Sequence, residues 1–195
     1  MNYINIPGSA NEFFVLFHGT GGNEYSLLSI VGDIDPAASV ISFLGNVGSG
    51  SNRRFFAPLQ DGQLEREDFD HRVDQFLTLW DELKPENAKV TFVGYSNGAN
   101  FVLGLLEKAV DIADNIVLMH PSNLGYTFKK GSKSRVLITT GATDTLSLPS
   151  DVLQLSKQLS EDFPTTKLEL LDGGHEVGNE EVAKIINFLD SDTPE

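Results

Sequence analysis

The stretch Gly94-Tyr95-Ser96-Asn97-Gly98 decides the fold, because the segments on its two sides differ in character. Residues 89–93, with the sequence Lys-Val-Thr-Phe-Val, are β-branched and apolar and indicate a buried strand. Residues 99–108 have the composition of a helix. A serine at the centre of Gly-x-Ser-x-Gly between a strand and a helix is held in a tight, strained turn that exposes its hydroxyl. We therefore predict that Ser96 is a nucleophile.

The two glycines of this stretch support the same interpretation. In so tight a turn, a Cβ at Gly94 or Gly98 would collide with the neighbouring strand or helix. The alternative is a glycine-rich connection with an incidental serine. The strand before the turn and the helix after it favour the nucleophile.

Composition limits the size, class and partners of the protein. Its 195 residues are enough for one domain with a sizeable core, so we predict a single domain over residues 1–195. The net charge of −14, from 28 acidic and 14 basic residues, argues against binding to nucleic acid or to an anionic membrane, since both need a positive surface. The absence of cysteine excludes a disulfide scaffold, a thiolate metal site and a cysteine nucleophile.

Neither the start of the chain nor its apolar runs indicate a targeting or membrane segment. Residues 1–7 lack the basic region and the long apolar stretch of a signal peptide. The apolar run at residues 13–17 is far too short to span a membrane. We therefore expect a cytoplasmic protein with no membrane insertion.

Short apolar runs alternate with longer amphipathic segments, which is typical of β-α-β units and a mostly parallel sheet. The predicted strands are residues 3–6, 13–17, 40–43, 90–93, 116–119, 136–139 and 168–171, the first of them at an edge. The predicted helices are residues 24–30, 67–83, 99–109, 150–160 and 180–189. Residues 45–62 have no clear period, and loops of that length in a compact domain tend to be functional.

A serine hydroxyl needs a base to take its proton, and the chain has four histidines. His71 falls on the polar side of a predicted helix and is expected to be solvated, while His18 ends a strand and is expected to brace a loop. After a nucleophile of this kind, the chain is expected to present an acid and then a histidine. Of the two histidines that follow Ser96, only His175 comes after a further strand and acid, so we predict that it is the base. We interpret His120 as a structural residue near the pocket.

The acid that orients the imidazole is expected just after a strand. Asp144 follows the predicted strand 136–139 and is therefore the predicted acid. Asp172 is a rival because it lies three residues before His175, but a turn-forming role before two glycines explains it better. Asp151 is better explained as a residue of the first turn of a helix.

Two backbone N–H groups are expected to stabilise the oxyanion of the reaction. One is the N–H of Asn97, which follows the nucleophile at the start of a helix. The other should come from residues 18–23, His-Gly-Thr-Gly-Gly-Asn, and we assign it to the N–H of Thr20. These glycines could instead suggest phosphate binding, but the Lys-Ser/Thr of a phosphate-binding loop is missing.

Five segments carry a resemblance to a known family: residues 16–24, 54–56, 94–100, 119–121 and 174–175. They resemble the phospholipase/carboxylesterase family of α/β-hydrolases. Arg54-Phe55-Phe56 and Met119-His120-Pro121 are similar to segments of its bacterial branch of small carboxylesterases, which includes hydrolases associated with hydroquinone and quinone stress. The likeness extends from about residue 13 to residue 189.

This resemblance implies the α/β-hydrolase fold, with a mostly parallel central sheet and helices on both of its faces. It also implies hydrolysis of carboxylic esters with no metal and no organic cofactor. The family includes thioesterases, lysophospholipases and homodimers, so it leaves the leaving group and the possibility of a homodimer open. The chain departs from the family at Thr145, where a proline usually follows the acid, and at Gly173-Gly174, where a basic or polar residue is common; either change could loosen a loop.

The segment between the strand 116–119 and the acid is too short to hold a lid domain, so we predict a shallow, open pocket. Its predicted wall residues are Phe55, Phe56, Leu59 and Tyr126, although the two phenylalanines could equally belong to the core. An open apolar pocket in an acidic protein predicts a small-molecule substrate, a short and neutral acyl ester.

Two points stay open from the sequence. Arg53 and Arg54 could bind a carboxylate, and Arg54 could equally form an ion pair with the nearby acidic helix. A catalytically silent small-molecule binder of the same fold is the competing hypothesis. It is disfavoured because a binder has no need of Ser96, Asp144 and His175 in the order of a catalytic triad.

Overall fold

The alternation of strands and helices produces one seven-stranded sheet in the computed structural model, which describes residues 1–129 and 133–191. The strands are β1 (Asn2–Ile6), β2 (Glu12–Phe17), β3 (Ser39–Leu44), β4 (Lys89–Tyr95), β5 (Asn115–Met119), β6 (Arg135–Gly141) and β7 (Thr166–Leu171). Their order across the sheet is β1-β3-β2-β4-β5-β6-β7. Among the strand pairs of the described residues, only the edge pair β1–β3 is antiparallel, as expected for a mostly parallel sheet.

Helices cover both faces of this sheet. They are α1 (Leu28–Ile34), α2 (Arg66–Leu83), α3 (Asn97–Lys108), α4 (Pro149–Asp162) and α5 (Asn179–Asp190). The apolar residues of α2, α3 and α4 form one core cluster with the sheet, and those of α1 and α5 form a second. The predicted fold class is therefore confirmed. Within the described residues, none of the helices combines the length and apolarity that crossing a membrane requires.

The first helix begins later than the sequence pattern predicts, at Leu28 rather than at residue 24. Local side-chain hydrogen bonds hold the preceding residues in turns instead. Asn23 accepts a hydrogen bond from the N–H of Tyr25 at 2.9 Å, and its own N–H donates to the hydroxyl of Ser26 at 2.9 Å. Asparagine and serine favour such turns over helix interiors.

A cluster of aromatic rings fixes the end of β2 that leads into the glycine-rich loop. The ring centroid of Phe17 lies 5.6 Å from those of Phe43 and Phe55, 5.3 Å from that of Phe76 and 5.4 Å from that of Phe92. Aromatic pairs at such distances add to the stabilisation from buried area. The loop after β2 therefore starts from a rigid base.

The carboxyl ends of the parallel strands lie along one edge of the sheet, and the three predicted triad residues and two further histidines each come shortly after one of them. His18 follows β2, Ser96 follows β4, His120 follows β5, Asp144 follows β6 and His175 follows β7. Open parallel sheets bind their ligands at this edge. The topology therefore brings together residues that are far apart in the chain.

Candidate active site

Ser96 occupies the strained turn that the sequence predicts for it. It lies between β4 and α3 with φ 52° and ψ −111°, in the left-handed region that L-residues rarely adopt. A Cβ added to Gly94 would come within 2.7 Å of the Cα of Ala99, and one added to Gly98 would overlap the carbonyl oxygen of Phe17. The turn can therefore form only with glycine at both positions.

Two short hydrogen bonds connect Ser96, His175 and Asp144. The Nε2 of His175 lies 2.8 Å from the Oγ of Ser96, and its Nδ1 lies 2.7 Å from the Oδ2 of Asp144. With the proton on Nδ1, the imidazole donates to the carboxylate and accepts the serine proton at Nε2. The side chain of Asp144 is fully buried, whereas that of His175 keeps 16% of its surface exposed and so reaches the cavity.

Four donors surround the carboxylate of Asp144. Its Oδ1 accepts the N–H of Leu146 at 2.8 Å and that of Ser147 at 2.9 Å, and its Oδ2 accepts from two imidazoles, His175 at 2.7 Å and His120 at 3.0 Å. Burial alone would raise the pKa of Asp144, but these hydrogen bonds outweigh burial and hold its pKa below the ordinary value. Asp144 therefore stays ionised, as an acid that orients a histidine must.

His120 is buried, as a structural histidine would be, but it contacts the candidate triad directly. Its Nδ1 lies 3.0 Å from Asp144 Oδ2, and its Nε2 lies 3.2 Å from Oε2 of Glu181. The hydroxyl of Thr139 donates to the other oxygen of Glu181 at 2.5 Å. Burial lowers the pKa of His120, but the two carboxylates outweigh burial and raise its pKa overall.

Sequence reasoning missed Glu181, although the sequence contains a signal for it. Glu181 shares the buried stripe of α5 with Ile185 and Phe188, at the spacing of four and then three residues that defines one face of a helix. Its side chain is fully buried. A carboxylate on an apolar stripe needs a buried partner, because an unpaired buried charge is costly.

Glu181→Gln is expected to destabilise the fold in a pH-dependent way. Folding raises the pKa of His120, so the stability that this proton contributes is complete below about pH 6.5 and is lost as the pH rises through the folded-state value. The amide cannot support that proton as the carboxylate does. The wild-type protein should therefore be more stable by about 1–3 kcal/mol near pH 6, with a smaller difference near pH 9.

Urea denaturation at several pH values, followed by the fluorescence of the single, buried Trp80, measures this difference. The control is Glu180→Gln on the exposed side of α5, which should change stability little at any pH. A difference between wild type and Glu181→Gln that stays constant across the pH range would contradict the prediction.

The other two histidines lie where sequence reasoning expects them. His18 is buried, with its Nδ1 2.7 Å from the carbonyl oxygen of Gly19 and its Nε2 accepting the N–H of Gly45 at 3.0 Å. Burial lowers the pKa of His18, and one donated and one accepted bond fit a neutral imidazole that joins two loops. His71 is exposed on α2, where its ring contacts the side chain of Gln75 at 2.9 Å.

The two rival acids take no part in the hydrogen bonds that connect Ser96, His175 and Asp144. Asp172 is exposed, and Asp151 sits in the first turn of α4 with an oxygen 3.3 Å from the hydroxyl of Ser150. The Nδ1 of His175 is instead directed at Asp144.

The two predicted oxyanion donors lie on the same cavity as Ser96. Asn97 is the first residue of α3, so its N–H has no acceptor within the helix. Thr20, in the loop after β2, also lines the cavity. The side chain of Asn97 is buried and accepts the N–H of Phe55 at 2.8 Å, which ties the segment around Phe55 to the residue after the nucleophile.

The cavity at Ser96 has a volume of about 140 Å³. Phe56 and Leu59 line it, as the sequence predicts. Phe55 and Tyr126 do not, because both are core residues. Phe55 is completely buried and stacks on Phe101 at 5.3 Å, and Tyr126 uses its hydroxyl to bond the carbonyl oxygen of Asn100 at 3.2 Å.

A larger groove of about 430 Å³ lies beside this cavity, between α1 and the loop that carries His175. It shares Thr20 with the cavity, but Ser96 does not line it, and Asp33 and Glu176 give it two carboxylates. The serine hydroxyl and the imidazole meet in the smaller cavity, which makes it the candidate for the chemistry.

Three of the residues could in principle ligate a metal. The ligand atoms of His120, Asp144 and His175 lie within 4.8 Å of one another. Asp144 lies at hydrogen-bond distances of 2.7 Å and 3.0 Å from the two imidazoles. A metal would have to replace both bonds, so the arrangement fits proton transfer better than metal binding.

Comparison with known proteins agrees with this geometry. The chain is 30% identical over 187 residues to "Putative hydrolase MhqD" of Bacillus subtilis (strain 168), across 93% of this chain and 94% of that protein. It is similar to the Bacillus cereus carboxylesterase structure, with a TM-score of 0.89 and 28% identity over 98% of this chain and 94% of that one. The Mesorhizobium loti carboxylesterase, 24% identical over 94% and 90% of the two chains, has the same fold with a TM-score of 0.84. No family model matches the chain.

The sheet, its helices and the edge that carries Ser96 define an α/β-hydrolase. The chain belongs to the phospholipase/carboxylesterase family of α/β-hydrolases. The family predicted from the sequence is confirmed, and so is the assignment of the protein as an esterase-type hydrolase.

Proposed function

We propose that the protein is a serine carboxylesterase that hydrolyses short-chain esters with Ser96 as nucleophile, His175 as base and Asp144 as the orienting acid. The observation that carries this proposal is the pair of hydrogen bonds in series, 2.8 Å from Ser96 to His175 and 2.7 Å from His175 to Asp144. A nucleophile bonded to a base that is itself oriented by a third group is the arrangement that serine hydrolysis needs.

In the first half of the reaction, the Oγ of Ser96 attacks the ester carbonyl carbon while its proton moves to Nε2 of His175. The carbonyl oxygen becomes an oxyanion and is stabilised by the N–H groups of Asn97 and Thr20. When the tetrahedral intermediate collapses, the bond to the leaving alcohol breaks. His175 gives its proton to that oxygen, and the acyl group remains on Ser96.

In the second half, water takes the place of the alcohol. His175 removes a proton from the water as the oxygen attacks the acyl carbon, and the same two N–H groups stabilise the second oxyanion. Collapse releases the carboxylic acid and returns the proton to Ser96. Throughout the cycle, the buried carboxylate of Asp144 holds the tautomer of His175 and stabilises its imidazolium form.

The size of the cavity supports a small substrate. Its volume of about 140 Å³ is below the range of about 300–1,000 Å³ that is common for pockets of drug-sized ligands. Phe56 and Leu59 give it an apolar wall, and Leu59 is 37% exposed, which indicates an open mouth rather than a covered channel.

A series of p-nitrophenyl esters from acetate to palmitate is expected to give a maximum of kcat/KM at about C2 to C6. Each buried CH₂ contributes ~0.8 kcal/mol while the chain still fits, so efficiency should rise over the first members and then fall. Steady-state kinetics across the series measures this. A steady climb to about C12 or beyond would contradict a small cavity and favour a lysophospholipase or a long-chain thioesterase.

A further inference from the structure

The catalytic cavity differs in charge from the protein as a whole. The chain carries a net charge of −14. Of the described residues that line the cavity, Arg54 alone carries a permanent charge. The other polar side chains around it are neutral hydroxyls and amides, among them Thr20, Asn100 and Ser122. The neighbouring larger groove, by contrast, carries Asp33 and Glu176.

Arg54 has few bonds to the protein. Its Nη2 makes one long hydrogen bond, 3.4 Å to the hydroxyl of Thr20, and its buried Nε has no acceptor. No described carboxylate forms an ion pair with it within 4.0 Å. The acidic helix that could have paired with it holds Arg72 instead, through Asp68 at 2.8 Å. A guanidinium has five donors, and with Nε buried and one Nη2 hydrogen bonded to Thr20, the remaining donors on Nη1 and Nη2 are left for a further acceptor.

The backbone holds Arg54 in a fixed position at the nucleophile. Its N–H donates to the carbonyl oxygen of Val47 at 2.9 Å, and its own carbonyl oxygen accepts the N–H of Val47 at 3.0 Å. The next residue, Phe55, donates its N–H to Asn97, directly after the nucleophile. The guanidinium also lies 6.0 Å from the ring centroid of Phe56. The guanidinium of Arg54 is therefore carried by a backbone segment that these hydrogen bonds hold in place.

We propose that Arg54 binds a carboxylate of the substrate, so that the preferred substrates are short esters with a carboxylate near the scissile bond. The inference rests on the proposed esterase function and narrows it. An arginine presents a planar set of donors that matches the two oxygens of a carboxylate, and such charge-assisted bonds are stronger than neutral ones.

This proposal departs from the expectation of a neutral substrate, which was based on an open apolar pocket in an acidic protein, because Arg54 places a positive charge in the cavity. Exposed charges are screened over about 8 Å at physiological ionic strength, so the distant acidic surface has little effect inside the cavity. Arg54 and Ser96 line the same small cavity, where a guanidinium can act on a bound substrate.

Two pairs of esters of matched shape test the inference. Ethyl hydrogen succinate carries its carboxylate on the acyl side, and ethyl succinamate is its neutral counterpart. Acetoxyacetate carries its carboxylate on the alcohol side, and acetoxyacetamide is its neutral counterpart. Acid release is followed in a pH-stat near neutral pH at an ionic strength of about 0.15 M. The measured quantity is the ratio of kcat/KM for the anionic ester to that for its neutral counterpart.

The proteins compared are wild type, Arg54→Gln, Arg54→Lys and Arg53→Gln, each checked for an unchanged melting temperature. Arg53 is the matched control, because its loss changes the net charge equally but it does not line the cavity. For at least one pair, the ratio should exceed 1 in wild type and fall ~10-fold or more in Arg54→Gln. Arg54→Lys should retain part of the preference and Arg53→Gln nearly all of it. The pair that responds shows which side of the ester carries the carboxylate.

Two results would overturn this inference without overturning the esterase proposal. In the first, Arg54→Gln would leave the ratios unchanged. In the second, Arg53→Gln would lower the ratios as much as Arg54→Gln does. In both cases the neutral esters would still be hydrolysed, so the esterase proposal would stand. If the wild-type protein hydrolysed none of the four esters and no p-nitrophenyl ester, the proposed function would be overturned, and this inference with it.

Discussion

Ser96→Ala is expected to lower the turnover of short esters by about 10⁶ while the fold stays intact. The hydroxyl of Ser96 lies 2.8 Å from the imidazole that would remove its proton, and alanine leaves that imidazole with nothing to activate on the protein. Stopped assays of the purified variant at high enzyme concentration, together with a thermal melt, measure both parts of the prediction.

Ser122→Ala is the matched control for this variant. Ser122 also lines the cavity, but its hydroxyl lies 3.2 Å from that of Ser147 and is not bonded to His175. We expect this control to stay within about 10-fold of wild type, the scale of one neutral hydrogen bond. Retention of more than a few per cent of activity in Ser96→Ala would show that another group is the nucleophile.

Asp144→Asn is expected to lower turnover by about 10³–10⁴. Both oxygens of Asp144 accept hydrogen bonds, from two imidazoles on one side and from the N–H groups of Leu146 and Ser147 on the other. Whichever of its two positions the NH₂ group of an asparagine took, it would face groups that are themselves donors and would lose hydrogen bonds there. If that group faced the imidazoles, His175 would be driven to the tautomer that cannot accept the proton of Ser96.

Asp172→Asn is the control for this second variant, because Asp172 is exposed and stands three residues from His175 in the chain. We expect it to change turnover little. Steady-state kinetics of both variants on one short ester decides between the two acids. The reverse ranking would move the acid of the triad to Asp172, and it would give functional weight to Thr145, which stands where the family usually has a proline.

The sequence predicted the fold well because its signals were local and repeated. Short apolar runs between amphipathic segments predicted the parallel sheet, and the glycines around Ser96 predicted the strained turn that the structure has at φ 52°. In a parallel sheet, chain order alone places the loops after β4, β6 and β7 at one edge. That constraint made it possible to select Asp144 and His175 from several candidates.

The walls of the cavity could not be predicted in the same way. Phe55 and Phe56 are neighbours in the chain, yet Phe55 packs into the core and only Phe56 also borders the cavity. Which of two adjacent aromatic residues turns inward depends on packing against distant elements, here Phe101 of α3. Glu181 was missed for a related reason, since glutamate is rarely buried and its partner His120 is distant in sequence.

Whether Arg54 pairs with a carboxylate of the protein also depended on tertiary structure. From the sequence, pairing with the acidic helix was as reasonable as binding a carboxylate. The structure assigns Asp68 of that helix to Arg72, one turn further along α2, which leaves Arg54 without a described carboxylate partner. Asp68 and Arg72 are four residues apart on α2 and are therefore neighbours on the helix surface, which favours this pairing.

The central claim is that Ser96 is a nucleophile activated by His175, and labelling with a fluorophosphonate tests it most directly. Such a probe loses fluoride to an activated serine and leaves a stable phosphonyl group on its oxygen. Intact-mass analysis of the wild-type protein should show one added group, and peptide mapping should place it on Ser96. Labelling should be absent in Ser96→Ala and slower by orders of magnitude in His175→Ala. An unlabelled wild-type protein, or a label on another residue, would contradict the account.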